Sequence, residues 1–233
     1  MSADDHKRAA AEAALDFVED GMRLGLGTGS TAAHFVKGVG RLVSEGLSVI
    51  GVPTSKATET LARECGIPLT TLDETPELDL CVDGADEIDR HLNLIKGGGG
   101  ALLREKIVAS AAASLVVIAD ASKISETLGS FALPIEVLPF GAGATVRAIE
   151  KAARGVGIDG ALVRRMAGEA PYVTDNGNWI FDAAWNPIEN PGALAAALSG
   201  VPGVVEHGLF VAMADCVIIS TDRGLDIRQS PAD

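Results

Sequence analysis

The chain alternates helix-like and strand-like patterns through its first half. Residues 7–18, "KRAAAEAALDFV", place Ala, Leu, Phe and Val at helical spacing. "MRLGLG" follows as a short strand running into a glycine turn, then "STAAHFVKGVGRLV" as a helix. "LSVIGVP" reads as a strand, "SKATETLARECG" as a helix closed by glycine, and "IPLTTL" as a strand. "LDLCVDG", "ALLREKIVASAA" and "SLVVIAD" continue the series as strand, helix, strand. Alternation of this kind predicts a mostly parallel sheet covered on both faces.

The rhythm changes near Ser130. "ALPIEVLPF" is a strand, "GATVRAIEKAARGVG" a helix, and "ALVRRMA" and "PYVTDNGNWIFDAAW" two further strands with "TDNGN" as a hairpin turn. A helix in "NPGALAAALSG" and a strand in "VVEHGLF" complete a β-α-β-β-α-β order, that of a split ferredoxin-like unit. "ADCVIIST" is a buried strand expected to return to the first sheet. The fold class expected is α/β: a Rossmann-like, mostly parallel sheet domain (1–129 plus 208–233) with an inserted ferredoxin-like α+β small domain (130–207).

Composition narrows the function. Of 233 residues, 47% are hydrophobic, enough for a core. A net charge of −13 argues against a nucleic-acid or anionic-membrane surface, so an anionic ligand must be met by local donors. Cys65, Cys81 and Cys216 show no paired spacing, which fits a reducing compartment. The four histidines form no HxH or HExxH pattern, and no metal site is expected. The N-terminus is charged and amphipathic, unlike a signal peptide, and no apolar stretch reads as a membrane span. The expected location is the cytoplasm.

Four strand ends carry candidate chemistry. "GLGTGSTA" (25–32) joins a strand to a helix, where backbone N–H groups and the hydroxyls of Thr28, Ser30 and Thr31 suit a phosphate. A dinucleotide fingerprint is the alternative, but Ser30 stands where its third glycine belongs; a plain tight turn is another. "PTSKAT" (53–58) repeats the placement, with Ser55 also readable as a simple N-cap. "DGAD" (83–86) stands beyond a strand end, where ligands bind in open α/β sheets, or is merely a turn. Lys96 and the run Gly97–Gly100 follow, and four glycines are costly unless backbone must pass close to something. Glu105 is either a solvated helix residue or, with Asp83, Asp86 and Lys96, a base. "ADASK" (119–123) adds Lys123.

"GLGTGSTA", "TSKAT", "DGADEID", "KGGGGALLREK" and "ADASK", in this order, resemble the ribose-5-phosphate isomerase family of the A type. "LPIEVLPF" and "TDNGNWIFD" are similar to its small-domain segments, so the resemblance spans nearly the whole chain. It implies an aldose–ketose isomerase working as a homodimer or homotetramer without metal or cofactor on a sugar phosphate. It further implies substrate contacts at Thr28, Gly29, Ser30, Thr31, Asp83, Gly84, Ala85, Asp86, Lys96, Gly97, Gly98 and Gly99, with Glu105 as proton acceptor and Lys123 as a ligand contact. In that chemistry Lys96 meets the developing anion, and Asp83 assists ring opening and moves the hydroxyl proton. Lys7 joins Lys123 near the phosphate. Two carboxylates as near in sequence as Asp83 and Asp86 are expected to raise one pKa.

Three rivals stand beside it. Glucosamine-6-phosphate deaminases and CoA transferases share the architecture, but a deaminase calls for a ring-opening histidine, and these motifs offer only His91. A sugar-phosphate-sensing regulator needs a helix-turn-helix ahead of a sheet that already begins near Met22. A purely structural domain leaves the tetraglycine without a reason.

Overall fold

The computed structural model describes residues 1–230. The chain opens with α1 (Ala3–Ala14), β1 (Arg23–Leu26), α2 (Ser30–Ser44), β2 (Ile50–Pro53), α3 (Lys56–Glu64) and β3 (Leu80–Gly84). Two short strands, β4 (Glu87–Ile88) and β5 (Leu94–Ile95), precede α4 (Leu102–Ser110) and β6 (Leu115–Asp120). Then come β7 (Leu133–Val137), α5 (Ala142–Gly155), β8 (Ala161–Arg164), β9 (Met166–Ala167), β10 (Ala170–Pro171) and β11 (Trp179–Ala184). The last elements are α6 (Pro191–Ser199), β12 (Val204–His207), β13 (Leu209–Phe210), β14 (Cys216–Thr221) and β15 (Gly224–Gln229). They divide into two compact units, 1–85 with 104–123 and 213–233, and 86–103 with 124–212.

The first unit is built on a six-stranded sheet of order β15-β14-β6-β3-β1-β2. All its pairings are parallel except β14 with β15. As expected, 216–221 returns to this sheet, alongside β6. Both β6 and most of β14 are buried along their length, which is why they read as continuous apolar runs rather than as alternating ones. Ala10, Ala14, Phe35, Val36 and Val39 pack one cluster with Leu24, Leu26, Val82 and Ile118. Two details depart from expectation. Residues 67–72 form only a bridge, Leu69 to Gly51, since Pro68 lacks an N–H and can only accept from Gly51. The antiparallel strand β15, unread in the sequence, turns back at 221–224.

The second unit holds β7-α5-β8-β11-α6-β12 as an antiparallel sheet of order β12-β7-β11-β8, the ferredoxin-like arrangement. It is wider than 130–207, because β4, β5 and β13 form a separate three-stranded sheet within it. The run "VVEHGLF" splits at Gly208 into β12 and β13, which serve different sheets. A Cβ at Gly208 would stand 2.2 Å from the Lys96 carbonyl oxygen, so only glycine permits that crossing.

The start of β1 carries a titratable brace to the residue ahead of β3. Arg23 donates through Nε (3.0 Å) and its backbone N–H (2.7 Å) to Asp79, and its Nη2 donates to the other carboxylate oxygen. These bonds hold the Asp79 pKa down to about 2. A carboxyl lowered on folding contributes stability above its unfolded pKa of about 3.9 and loses it as pH falls through about 2. Both side chains are about one-third exposed, so the expected contribution is at most ~1 kcal/mol. Urea midpoints of the parent and Asp79→Asn should differ at pH 7 and converge between pH 4 and pH 2; a gap constant over that range would contradict this account.

Candidate active site

In the first unit the site begins where β1 leaves the sheet. Gly29 (φ +104°) is the N-cap of α2, and no side chain caps that helix. Its first-turn N–H groups therefore lack side-chain partners at an end where Gly29 and Ser30 are exposed, an arrangement that accepts an anion. The preceding Gly27 lies against Asp83, at the end of β3. A Cβ at residue 27 would fall 2.3 Å from Asp83 Oδ1. Asp83 is only 1% exposed, and its Oδ1 accepts from the N–H groups of Thr28 (2.9 Å) and Gly84 (2.7 Å).

Thr28 is turned inward. Its hydroxyl lies 2.6 Å from Thr54 Oγ1, 2.8 Å from Ser55 Oγ and 3.0 Å from Thr58 Oγ1. One hydroxyl thus meets three others with a single proton to give among them. Thr58 in turn donates to the Gly27 carbonyl (2.9 Å) and Thr54 to that of Leu26 (3.0 Å). "TSKAT" is thus a buried hydroxyl brace for the 25–31 loop, with Ser55 also capping α3 by accepting from Thr58 N–H. Of the residues that follow Thr28, Gly29 and Ser30 are exposed and Thr31 is half-buried.

Glu105 lies in the first turn of α4 and is 5% exposed; it is not a solvated helix residue. Lys7 and Lys123 line one cleft of about 400 Å³ with His6, Asp120, Ser122 and Ser220; Thr28–Thr31 are not in its lining. Burial pushes the Asp120 carboxyl up, but bonds from the Ser122 hydroxyl and N–H, with the charges of Lys123 and Lys7, bring it below its usual range. Both lysines therefore act on the same carboxylate.

The second unit holds Asp86, Lys96 and the glycine run. Asp86 Oδ2 accepts from Gly98 N–H at 2.7 Å, and a Cβ at residue 98 would meet Oδ1 at 2.6 Å. Gly97 (φ +102°) and Gly100 (φ +81°) take up backbone conformations that other residues resist. Lys96 is 3% exposed, its Nζ 5.5 Å from the Phe210 ring centre. The other acids of "DGADEID" are structural. Glu87 accepts from Ser125 Oγ and the N–H groups of Gly129, Ser130 and Phe131. Asp89 accepts from the N–H groups of His91 and Asn93 and from the Asn93 amide. Two residues escaped the sequence reading: Arg165 donates to the carbonyls of Gly97 and Gly98, and Tyr172 to that of Gly99. The signal for Arg165 was the pair "RR" at 164–165, which alternation sends to opposite sides; Arg164 lies over Trp179 instead.

A parallel sheet whose strand ends carry an uncapped helix N-terminus and a buried carboxylate is the plan of an α/β enzyme for phosphorylated substrates. Comparison with known proteins supplies the family. Residues 50–224 match the model described as ribose 5-phosphate isomerase A (phosphoriboisomerase A). The ribose-5-phosphate isomerase A of Parvibaculum lavamentivorans is 56% identical, over 99% of this chain and 100% of that one. That of Rhodopseudomonas palustris is 58% identical over 100% and 97%. The solved ribose 5-phosphate isomerase A of Methanocaldococcus jannaschii superposes with a TM-score of 0.90 at 40% identity, covering 98% of this chain and 100% of that one. A D-ribose-5-phosphate isomerase in complex with phospho-erythronic acid gives 0.92 at 39%, with the same coverage. The chain belongs to the ribose 5-phosphate isomerase A family, and its reaction is the interconversion of ribose 5-phosphate and ribulose 5-phosphate. Among the described residues no helix is long and apolar enough to cross a membrane.

The contact of Gly27 with Asp83 is testable. Gly27→Ala should cost about 1–3 kcal/mol of unfolding free energy by overpacking, measured from urea denaturation. Gly29→Ala, with open space around its Cβ but a backbone conformation (φ +104°, ψ 176°) that is essentially glycine's own, should cost a similar ~1–3 kcal/mol through strain alone.

Proposed function

We propose that Glu105 is the base that moves the proton between C2 and C1 of the open-chain sugar. The observation that carries this reading is the burial of its carboxylate, out of bulk water, in the first turn of a helix. Glu105 takes the proton from C2, and electrons flow toward the C1 carbonyl oxygen to give a cis-enediolate. The same carboxyl group returns the proton to C1, and the carbonyl forms at C2. General-base catalysis of this kind contributes ~10²–10⁴-fold.

The remaining roles follow from what each group can offer. Lys96, a buried cation, faces the enediolate oxygen, an interaction of the kind worth about 3–4 kcal/mol per preorganised donor. Asp83, fixed through Oδ1 by two amides, takes part in ring opening and carries the hydroxyl proton from O2 to O1. Asp86 orients sugar hydroxyls, and the amides of Gly97–Gly99 sit along the same part of the substrate. The phosphate occupies the α2 N-terminus at Gly29, Ser30 and Thr31, with Lys123 and Lys7 supplying positive charge. Thr28 holds that loop in shape, and Gly84 and Ala85 continue the strand end toward the sugar. The phospho-erythronic acid bound by a relative supports this reading: a sugar acid has a planar, anionic carboxylate that resembles an enediolate.

No protein-bound metal or other cofactor takes part in this mechanism, and nucleic acid is not a partner. The enzyme works in the cytoplasm as a homodimer or homotetramer. Leu138 and Phe140, 47% and 94% exposed in one loop, support a covering copy.

Two measurements test the mechanism. Glu105→Gln should lose at least ~10²-fold in turnover while binding phospho-erythronic acid within about threefold of the parent; retained turnover would refute the base assignment. Purified protein given ribose 5-phosphate in excess chelator should form the ketose at an undiminished rate, and an absolute metal requirement would overturn the metal-free path.

A further inference from the structure

Glycine runs are the most mobile backbone a chain can build, yet this one must offer its amides in fixed directions to serve a reaction. The second unit supplies a brace for it. Arg165 Nη1 donates to the carbonyl oxygens of Gly97 at 2.9 Å and Gly98 at 3.0 Å. Tyr172 Oη donates to the Gly99 carbonyl at 3.1 Å. Three consecutive peptide units are thus held by their oxygens. Because a trans peptide is planar with C=O and N–H opposed, each hold also aims an amide the other way. The Gly98 amide points to Asp86 Oδ2 (2.7 Å), and the Gly100 amide closes a turn onto the Gly97 carbonyl (2.9 Å). The Gly99 amide, on the peptide whose oxygen Arg165 grips, is directed away from the guanidinium.

The brace is itself anchored. Arg165 donates through Nε to Asp182 Oδ2 at 2.9 Å and through Nη2 to Oδ1, a two-pronged pair whose side chains are 16% and 27% exposed. Asp182 lies in β11, opposite Val163 of β8. Main-chain bonds from Arg165 N–H to Ile180 O (2.8 Å) and from Tyr172 N–H to Arg165 O (3.0 Å) tie both residues to the same sheet. The guanidinium carbon lies 5.7 Å from the Tyr172 ring centre. Burial pushes the Tyr172 phenol above its ordinary value, outweighing the opposing charge of Arg165, so the hydroxyl keeps its proton and donates. A cation on the oxygen of a peptide also polarises it, making the N–H at its far end a stronger donor.

We propose that Arg165, held by Asp182 and seconded by Tyr172, is a positioning residue of the isomerase: it sets the direction and donor strength of the glycine-run amides, the Gly99 amide above all, for an oxygen of the sugar. Rigid sheet stands in for the stiffness that glycine lacks. The assignment rests on the isomerase reading but not on which residue is the base. Arg165 acts through peptides and stays outside proton transfer.

Arg165→Ala, Arg165→Lys and Asp182→Asn are compared for steady-state kinetics on ribose 5-phosphate, for phospho-erythronic acid inhibition and for thermal unfolding. Misplaced donors should lower kcat/KM by about 10²-fold in Arg165→Ala, with the inhibition constant weakened in step and the pH profile of kcat/KM unmoved. Arg165→Lys, keeping the charge without the fork, should fall between Ala and the parent; Asp182→Asn should follow it. Should Arg165→Ala fail to fold, the Lys and Asn variants carry the test. A kcat/KM within twofold of the parent, or a loss explained wholly by the unfolded fraction, overturns the proposal. A Glu105→Gln enzyme that still turns over would remove the base assignment alone, since the inhibitor affinity of the Arg165 variants does not depend on it.

Discussion

A carboxylate that is almost wholly buried has to be met by donors, and two backbone amides answer this demand at Asp83. Its Oδ1 takes the amides of Thr28 and Gly84, so one group joins the loop after β1 to the end of β3. Leaving such a group without its bonds costs several kcal/mol, which makes the loop geometry and the charge mutually dependent. Gly27 follows from this: no other residue leaves room for the Asp83 side chain. The hydroxyls of Thr54, Ser55 and Thr58 then close the loop from the other side through Thr28. The exposed N-terminus of α2 owes its shape to these buried contacts.

The second unit solves the same problem with other means. There the backbone is freer, because Gly97 and Gly100 need positive φ and Gly98 must clear Asp86. Conformational freedom that permits an unusual path also opposes keeping it. Arg165, Tyr172 and Asp86 restrain the run from its oxygens and one amide, and all three are anchored in or beside sheet. Both units therefore present amides whose directions are set by contacts a residue or two away.

What the sequence disclosed divides along the same line. The alternating pattern sufficed for the parallel sheet and for the order of the ferredoxin-like unit, since burial on both faces leaves long apolar runs that periodicity detects. Candidate residues at strand ends were legible because Gly, Asp, Lys and hydroxyl side chains are rare company there. Their individual duties were not. Glu87 and Asp89 look like Asp83 and Asp86 in the string "DGADEID", but they hold loops at 125–131 and 91–93. Thr28 looked like a ligand contact, whereas its hydroxyl faces three others. Arg165 lies 68 residues from Gly97, and nothing local connects them. Pairings between distant segments, including β13 with β5 and β15 with β14, depend on tertiary context that a single string does not carry.

Net charge adds a last constraint. A chain at −13 repels a dianionic sugar phosphate, but salt screens that repulsion beyond roughly 8 Å at physiological ionic strength. Recognition is therefore decided within a few ångströms. Lys7 and Lys123 share their cleft with Asp120, which the Ser122 bonds and the lysines themselves keep ionised. With Asp222, which lines the same cleft, the carboxylates match the two lysines in number, so the lysines alone make a weak trap for phosphate. Directional donors must supply the rest, and the uncapped first turn of α2 offers them without adding a charge that would attract any anion. With the phosphate at its proposed place on α2, an acidic protein would favour it by shape and hydrogen-bond direction more than by charge, and the loop geometry fixed by Asp83 would then bear on substrate choice.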